Sequence, residues 1–191
     1  MTTGARTPPT EPGGQKSAWE IATRSPAETI AFGSALASYL QDGDVILLHG
    51  DLGAGKTTLA KGIAGGLGVG DVVSSPSFSL VNEYYVDQAV TVSRLFHLDL
   101  YRLRDAGELA SIGFDDLVAS AEGVTLVEWP ERAATVLPDR FLLIEILTVG
   151  SSHRLLRLVP SPDDGAWRDR LERLIALCRE CKLTDCRAYG Q

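Results

Sequence analysis

Continuous apolar runs, rather than alternating ones, mark two of the clearest strand candidates in the chain. They are DVILLHG at residues 44–50 and GVTLVEW at residues 123–129. A strand that is apolar on both faces must be covered on both sides, as the parallel strands of an α/β sheet are. These runs therefore predict strands that are buried inside a layered sheet.

A helix is predicted before the first run. The segment SPAETIAFGSALASYL, residues 25–40, has Ser25 as a candidate N-cap, Pro26 at the first helical position and Glu28 three residues after the cap. Its apolar positions at roughly helical spacing are Ile30, Leu36, Ala37 and Leu40. Gly43 is expected to end the helix.

Further along the chain, the pattern predicts two strand pairs with helical segments around them. FSLVNEYY and VSRLFHLDLY predict a hairpin with a polar turn near Asp87 and Gln88, and RFLLIEILTV and HRLLRLV predict another strand pair. KTTLAKGIAGGLG predicts a helix in spite of its glycines, and GELASIGFDDLVAS predicts a short helical stretch. Near the C-terminus, a helix is predicted to pack on the core through Trp167, Leu171, Leu174, Ile175 and Cys178.

The order of these elements predicts one α/β domain between two terminal segments. Helices that alternate with buried strands indicate an α/β fold, and the hairpin makes the sheet mixed. Residues 1–18 are rich in Pro, Gly and Thr and predict a disordered tail. We therefore divide the chain into a tail at 1–18, a domain at 19–162, and a C-terminal helix with a cysteine-containing tail at 163–191.

Composition narrows the function classes. The net charge of −7 disfavours a surface that mainly binds nucleic acid, because binding to phosphates needs clustered Lys and Arg. No long apolar segment or secretory signal is visible, so we expect a soluble cytoplasmic protein without membrane contact. Cys178, Cys181 and Cys186 are an odd set, which is typical of free thiols in a reducing compartment and gives only weak support for a zinc site.

The loop between the run DVILLHG and the following helix carries the candidate chemistry. Gly50, Gly55, Lys56 and Thr57 match the pattern G-x-x-x-x-G-K-[ST], and the flanking strand and helix supply the context that this motif requires. Glycines let the backbone curl so that its amides face an anion at the helix N-terminus. The sequence thus predicts a three-layer P-loop NTPase domain with a mixed, mostly parallel sheet and an antiparallel hairpin.

Within this loop, each side chain type has an expected role. Lys56 would bridge the β and γ phosphates, the Thr57 hydroxyl would bind Mg²⁺, and Thr58 would donate to the α phosphate. The residues expected to contact the nucleotide here are Asp51, Leu52, Gly53, Ala54, Gly55, Lys56, Thr57 and Thr58.

Hydrolysis also needs an acid near the metal and a group that orients water. Asp99 and Glu128 each follow an apolar run, and the ligand of a parallel sheet lies at the carboxyl ends of its strands. Both are therefore candidate site residues.

Four motifs, GDLGAGKTT, SPSF, HLDLYRL and EWPE, closely resemble in order and spacing the bacterial TsaE (YjeE) family, the ATPase of the tRNA threonylcarbamoyladenosine pathway. The resemblance covers roughly residues 20–160. It implies ATP and Mg²⁺ as cofactors, TsaB and TsaD as partner proteins, and only indirect contact with tRNA. The implied activity is ATP hydrolysis that supports repeated transfer of a threonylcarbamoyl group by TsaD to the adenosine next to the anticodon.

Carried over to this chain, the resemblance implies catalytic roles for Lys56, Asp99 and Glu128. Glu128 matches the acid that helps Thr57 hold Mg²⁺, and Asp99 matches a residue needed for hydrolysis. Ser77 stands in SPSF where the family usually has Thr. Because serine keeps the hydroxyl, its contact with the metal or the γ phosphate is still expected.

Two alternatives remain open at this stage. A small-molecule kinase could use the same loop, and a binding module could use the nucleotide only to mark its state. The motifs supply no clear arginine finger, and the roles of Arg102 and Arg104 stay open. We therefore expect weak hydrolysis by the isolated protein.

Overall fold

Strands and helices alternate along most of the part of the chain that the structure, a computed structural model, describes: residues 18–86, 91–104, 106–181, 183 and 185–189. The strands are β1 Ala18–Thr23, β2 Val45–His49, β3 Val81–Tyr85, β4 Arg94–Asp99, β5 Val124–Glu128, β6 Phe141–Thr148, β7 Arg154–Ser161 and β8 Asp185–Tyr189. The helices are α1 Pro26–Ala37, α2 Lys56–Gly66, α3 Ala106–Ser111, α4 Phe114–Ala119 and α5 Gly165–Glu180, with a 3₁₀ turn at Pro130–Ala133.

All eight strands form one sheet in the order β3-β4-β5-β2-β6-β7-β1-β8. The strands β4, β5, β2 and β6 are parallel neighbours at its centre, and the other pairings are antiparallel. The predicted α/β fold with a mixed sheet and an antiparallel hairpin is confirmed. The predicted pair of β6 and β7 is present, and β1 and β8 extend the antiparallel part beyond it through the pairs β7–β1 and β1–β8.

Helices cover both faces of the sheet centre, which gives the predicted three layers. In β2, Ile46 and Leu48 pack with residues of α1, α2 and α5, whereas Val45 and Leu47 pack with Leu109 of α3 and other residues on the opposite side. This arrangement explains the continuous apolar run, since every side chain of Val45–Leu48 meets a hydrophobic layer.

Helix α2, which begins at Lys56 of the glycine-rich motif, lies close to α1. A Cβ added at Gly62 would approach the Ile30 carbonyl oxygen to 2.3 Å, and one at Gly66 would approach the Ser34 carbonyl oxygen to 2.6 Å. The glycines that weaken α2 as an isolated helix therefore let the two backbones pack directly.

The structure corrects the predicted face and end of α1. Ser25 is the N-cap as predicted, and its hydroxyl accepts a hydrogen bond from the Glu28 amide at 3.1 Å. The helix ends at Ala37 rather than at Gly43, and Ile30 is 41% exposed. Contact with α2 and the sheet instead buries Phe32 and Gly33, which are one turn before the correctly predicted Leu36 and Ala37.

Other elements differ in smaller ways from the prediction. The helical stretch before β5 is divided into α3 and α4 at Gly113, which has φ +66°. The five residues predicted to bury one face of α5 are all buried. Residues 1–17 of the predicted tail and the turn residues Asp87 and Gln88 lie outside the described residues, whereas Ala18 begins β1.

Among the described residues, no helix is long and apolar enough to cross a membrane.

Candidate functional site

The P-loop connects the carboxyl end of β2 to the first turn of α2. Gly53 and Gly55 have φ values of +78° and +109°, a conformation that favours glycine. Gly55 is the N-cap of α2 and supplies no side chain to bind the first amides of the helix. These amides and the positive end of the helix dipole are therefore available to an anion.

Lys56 lies over the loop with its ammonium group buried. Its Nζ donates hydrogen bonds to the carbonyl oxygens of Gly50 and Asp51 at 2.6 and 2.9 Å, and it lies 3.6 Å from the centre of the Trp129 ring. Burial lowers the pKa of Lys56 from its usual value, while the nearby Glu128 and Glu131 carboxylates oppose this shift. Among the described residues, the hydrogen bonds of this ammonium group go to loop carbonyls and none goes to a carboxylate.

Glu128, at the end of β5, accepts hydrogen bonds from both sides. The Thr57 hydroxyl donates to its two carboxylate oxygens at 2.9 and 3.0 Å, and Nε2 of His97 lies 2.9 Å from Oε1. Both Glu128 and His97 are buried. A hydroxyl and a carboxylate oxygen, held together at the start of the loop helix, are the hard ligands that Mg²⁺ prefers, so these residues fit that ion.

Asp99, at the end of the neighbouring strand β4, is bonded to the segment that carries Ser77. The hydroxyls of Ser75 and Ser77 both donate to its Oδ2, that of Ser77 at 3.0 Å, and the Tyr101 amide donates to its Oδ1 at 3.0 Å. Asp99 therefore fixes this serine segment at the edge of the site, next to Glu128 on the adjacent strand.

These groups line one cavity of about 290 Å³. Its walls are formed by Leu52, Gly53, Gly55, Lys56, Thr57, Thr58, Ser75, Ser77, Asp99, Tyr101, Glu128 and Trp129. The volume is near the lower end of small-molecule pockets, and the polar groups converge at the loop. Because Asp99 and Glu128 both contribute negative charge, a polyphosphate would be repelled from this wall unless a divalent cation accompanied it.

Most of the residues predicted to form the site come together in this cavity. Asp51 and Ala54 do not line it, and they contribute backbone groups to the loop: the Ala54 amide donates to the Asp51 carbonyl oxygen at 3.1 Å. Arg102 and Arg104 also lie outside its lining. The Arg102 guanidinium stacks 4.2 Å over the exposed Phe78 ring, and Arg104 is paired with Glu108.

Sequence reasoning missed several contacts of the site. His97 and Ser75 belong to the motifs HLDLYRL and SPSF, so their positions could have been singled out there. Tyr101 lies against Trp129, with ring centroids 4.9 Å apart. Arg154 contacts the P-loop backbone from β7, and no local motif marks it.

The described residues contain no cluster of three or more His, Cys, Asp or Glu side chains suited to a metal ion. Cys178 is buried and Cys181 is exposed.

A comparison with protein families matches residues 23–156 to the family described as "Threonylcarbamoyl adenosine biosynthesis protein TsaE". The chain belongs to the TsaE family. The matched region contains the P-loop, Asp99 and Glu128, and ends within β7, before α5 and β8. The family resemblance seen in the four motifs is therefore confirmed.

Individual TsaE proteins support this assignment over most of their length. The chain is 41% identical over 132 residues to the tRNA threonylcarbamoyladenosine biosynthesis protein TsaE of Bacillus subtilis, covering 69% of this chain and 79% of that protein. The protein of the same name from Treponema pallidum is 34% identical over 132 residues, covering 69% of this chain and 93% of its own length.

A solved structure has the same fold. The crystal structure of Bacillus subtilis YdiB superposes with a TM-score of 0.71 and 32% sequence identity, covering 86% of this chain and 99% of that one.

Proposed function

We propose that this TsaE-family protein binds MgATP in the P-loop cavity and hydrolyses it in support of tRNA threonylcarbamoyladenosine biosynthesis. One observation carries the proposal: the Thr57 hydroxyl meets the Glu128 carboxylate at 2.9 Å, beside the buried Lys56 at the start of α2. A lysine, a hydroxyl and an acid around a P-loop are the groups that phosphate and Mg²⁺ binding require.

Each group has a chemical role in this proposal. The loop amides and Lys56 bind the β and γ phosphates, and Thr57 and Glu128 hold Mg²⁺. Bound Mg²⁺ would neutralise charge that develops on the phosphates during transfer to water. Thr57 must turn its hydroxyl proton away from Glu128 to offer its oxygen to the ion.

Asp99 is the best-placed acid to orient the attacking water. Its carboxylate lines the cavity, and the Tyr101 amide, which donates to Oδ1 at 3.0 Å, holds it next to Glu128 on the adjacent strand. We propose that Ser77 reaches the metal or the γ phosphate when the segment 75–78 rearranges around bound nucleotide, as the switch segments of other P-loop proteins do.

The isolated protein should hydrolyse ATP slowly. Among the described residues, no arginine lines the cavity, and an arginine supplied to the transition state accelerates such reactions by about 10³ or more. We propose that TsaB and TsaD are the partners that complete the active complex in the cytoplasm. With a net charge of −7, this chain is suited to indirect rather than direct contact with tRNA.

Reconstitution tests this proposal directly. ATP hydrolysis and formation of threonylcarbamoyladenosine would be measured with this protein, TsaB, TsaD and tRNA, together and with each omitted. We expect hydrolysis to rise when the partners are present and modification to stop after few turnovers when this protein is left out. Transfer of the γ phosphate to a metabolite or nucleoside, instead of water, would support the kinase alternative and contradict the proposal.

The variant Asp99→Ala separates hydrolysis from a role as a nucleotide-dependent binding module. We expect it to bind ATP and to lose both hydrolysis and support of repeated modification. If Asp99→Ala lost hydrolysis and still supported full modification of tRNA, the protein would act only through its nucleotide-bound state, without hydrolysis.

A further inference from the structure

One arginine contacts the P-loop from a strand that lies far away in sequence. Arg154, the first residue of β7, directs Nε to the carbonyl oxygen of Ala54 at 2.7 Å and Nη2 to that of Gly53 at 3.3 Å. Its Nη1 donates to the carbonyl oxygens of Gly150 and His153 at 3.1 and 2.9 Å. A single guanidinium thus joins the P-loop to the β6–β7 turn.

The neighbouring Arg157 on the same strand behaves differently. Arg157 forms ion pairs with Glu20 and Glu145 at 3.3 and 3.5 Å. Within the part of the chain that the structure describes, Arg154 has no ion pair with a carboxylate, and its hydrogen bonds all go to backbone carbonyls. Its positive charge therefore stays uncompensated beside the loop, where it favours an anion.

The carbonyls that Arg154 binds determine where the loop amides point. In a planar trans peptide, the C=O of one residue and the N–H of the next point in opposite directions. Because the Ala54 carbonyl faces Arg154, the Gly55 amide is turned to the other side, and Gly55 lines the cavity. The Gly53 carbonyl likewise fixes the Ala54 amide, which closes the turn on the Asp51 carbonyl.

The glycines at both ends of these peptides restrict the backbone little. Gly53 and Gly55 both have positive φ, and a Cβ added at Gly53 would meet nothing within 4 Å, so this residue has open space on its side-chain face. Hydrogen bonds from outside the loop therefore help to keep it in one conformation before a phosphate arrives. Preorganisation of this kind raises affinity because less ordering remains for the binding step.

We propose that Arg154 is a positioning residue of the nucleotide site, which holds peptides 53–55 in the phosphate-binding conformation. Arg154 does not itself line the cavity, so it acts through the loop backbone. This inference rests on the proposed binding of MgATP. Lysine cannot replace arginine here, since one ammonium group lacks the planar fork that reaches four carbonyls.

The test compares Arg154→Lys and Arg154→Ala with the matched control Arg157→Lys. The Kd for MgATP and for inorganic tripolyphosphate would be measured by calorimetry, and the Tm of each nucleotide-free protein by thermal unfolding. We expect Arg154→Lys to raise both Kd values about tenfold or more, because the phosphate-binding peptides lose their alignment. Arg157→Lys should change them by less than about twofold, as for an ordinary surface ion pair.

The outcomes separate this inference from the proposed function. If the unaltered protein binds MgATP and Arg154→Lys binds it equally well, the positioning role is wrong while the proposed function stands. If the unaltered protein does not bind MgATP, both fail. If Arg154→Ala does not fold, the Kd values of Arg154→Lys test the positioning role. If neither variant folds, Arg154 serves the whole fold and the inference is overturned.

Discussion

Glu128 accepts hydrogen bonds from Thr57 on one side and from His97 on the other. Since an ionised carboxylate can only accept, Nε2 of His97 carries the proton in this contact, and the buried Nδ1 has no hydrogen-bond partner in the part of the chain that the structure describes. A polar ring in such surroundings stabilises the fold less than an apolar one would. We therefore expect that His97 contributes mainly by fixing the orientation of the Glu128 carboxylate.

This arrangement predicts separate effects for two substitutions of His97. His97→Ala removes the donor, so Mg²⁺-dependent hydrolysis should fall about 10- to 100-fold, as for other side chains that orient a metal ligand. His97→Gln keeps an N–H group of similar reach and should retain more of the activity. The measurement is the dependence of hydrolysis on Mg²⁺ concentration, with Tm values to confirm folding. Equal losses in both variants would contradict the orienting role.

At the scale of elements, the position of the site depends on how closely α2 packs against α1. Gly62 and Gly33 lie at this contact: an added Cβ at Gly33 would come within 2.7 Å of the Leu59 carbonyl oxygen. Because α2 carries Lys56 and Thr57 in its first turn, a shift of this helix also moves these two groups, which we propose to bind phosphate and Mg²⁺.

The helix contact can be tested with two glycines of the same helix. Gly62→Ala forces a methyl group against the backbone of α1, so it should lower the free energy of unfolding by about 1–3 kcal/mol. Gly65 has nothing within 4 Å of an added Cβ, and Gly65→Ala should raise stability by up to about 1 kcal/mol, as expected for alanine in a helix interior. Urea unfolding measures both, and destabilisation of similar size at both positions would contradict the packing account.

Helix α5 is anchored by a charged N-cap. The Asp164 side chain accepts from the Trp167 amide at 3.3 Å and pairs with Arg140 at 2.6 Å. The hydrogen bond from Arg140 is the main reason that the pKa of Asp164 lies below its usual value of 3.8. The folded state therefore favours the charged carboxylate.

This shift predicts how pH affects the anchoring of α5. A carboxyl group whose pKa is lower in the folded than in the unfolded state stabilises the fold at pH values above its unfolded pKa. This stabilisation is lost as the pH falls through the folded pKa. Asp164→Asn keeps the cap and removes the charge, so its Tm should lie below that of the unaltered protein at pH 7. The difference in Tm between the two proteins should narrow as the pH falls below 3.8. A difference in Tm that is constant from neutral to acid pH would show that the charge of Asp164 contributes nothing to stability.

At the scale of the whole molecule, local patterns predicted the sheet centre and its β3 edge well, and they missed the opposite edge formed by β1 and β8. The run at Val45–Leu48 is apolar because both faces are covered, so its sequence alone indicates the strand. Strand β1 pairs with β7 and β8, which are both remote from it in sequence. Its pairing partners could not be inferred from neighbouring residues.

In the site, too, some residues are marked by local sequence patterns, and others are recognised only through contacts between remote segments. Lys56 and Thr57 lie within one motif, and Asp99 and Glu128 lie at the ends of strand-like runs, so the local sequence makes all four candidates, and the family resemblance implies their roles. Arg154 recognises backbone carbonyls a hundred residues away, and any sequence provides carbonyls. Such a contact leaves no signature in the sequence and becomes visible only when β7 and the loop are brought together.

The central claim is that Lys56 and the surrounding loop bind the phosphates of MgATP. Calorimetric titration of MgATP into the unaltered protein and into Lys56→Met tests it most directly, because methionine keeps an apolar side chain of similar length and removes the ammonium group. Burial already disfavours that charge in the nucleotide-free fold, as the lowered pKa of Lys56 indicates, so Lys56→Met should fold normally. We expect saturable binding by the unaltered protein and no measurable binding by folded Lys56→Met. Equal affinity of the two proteins for MgATP would contradict the account.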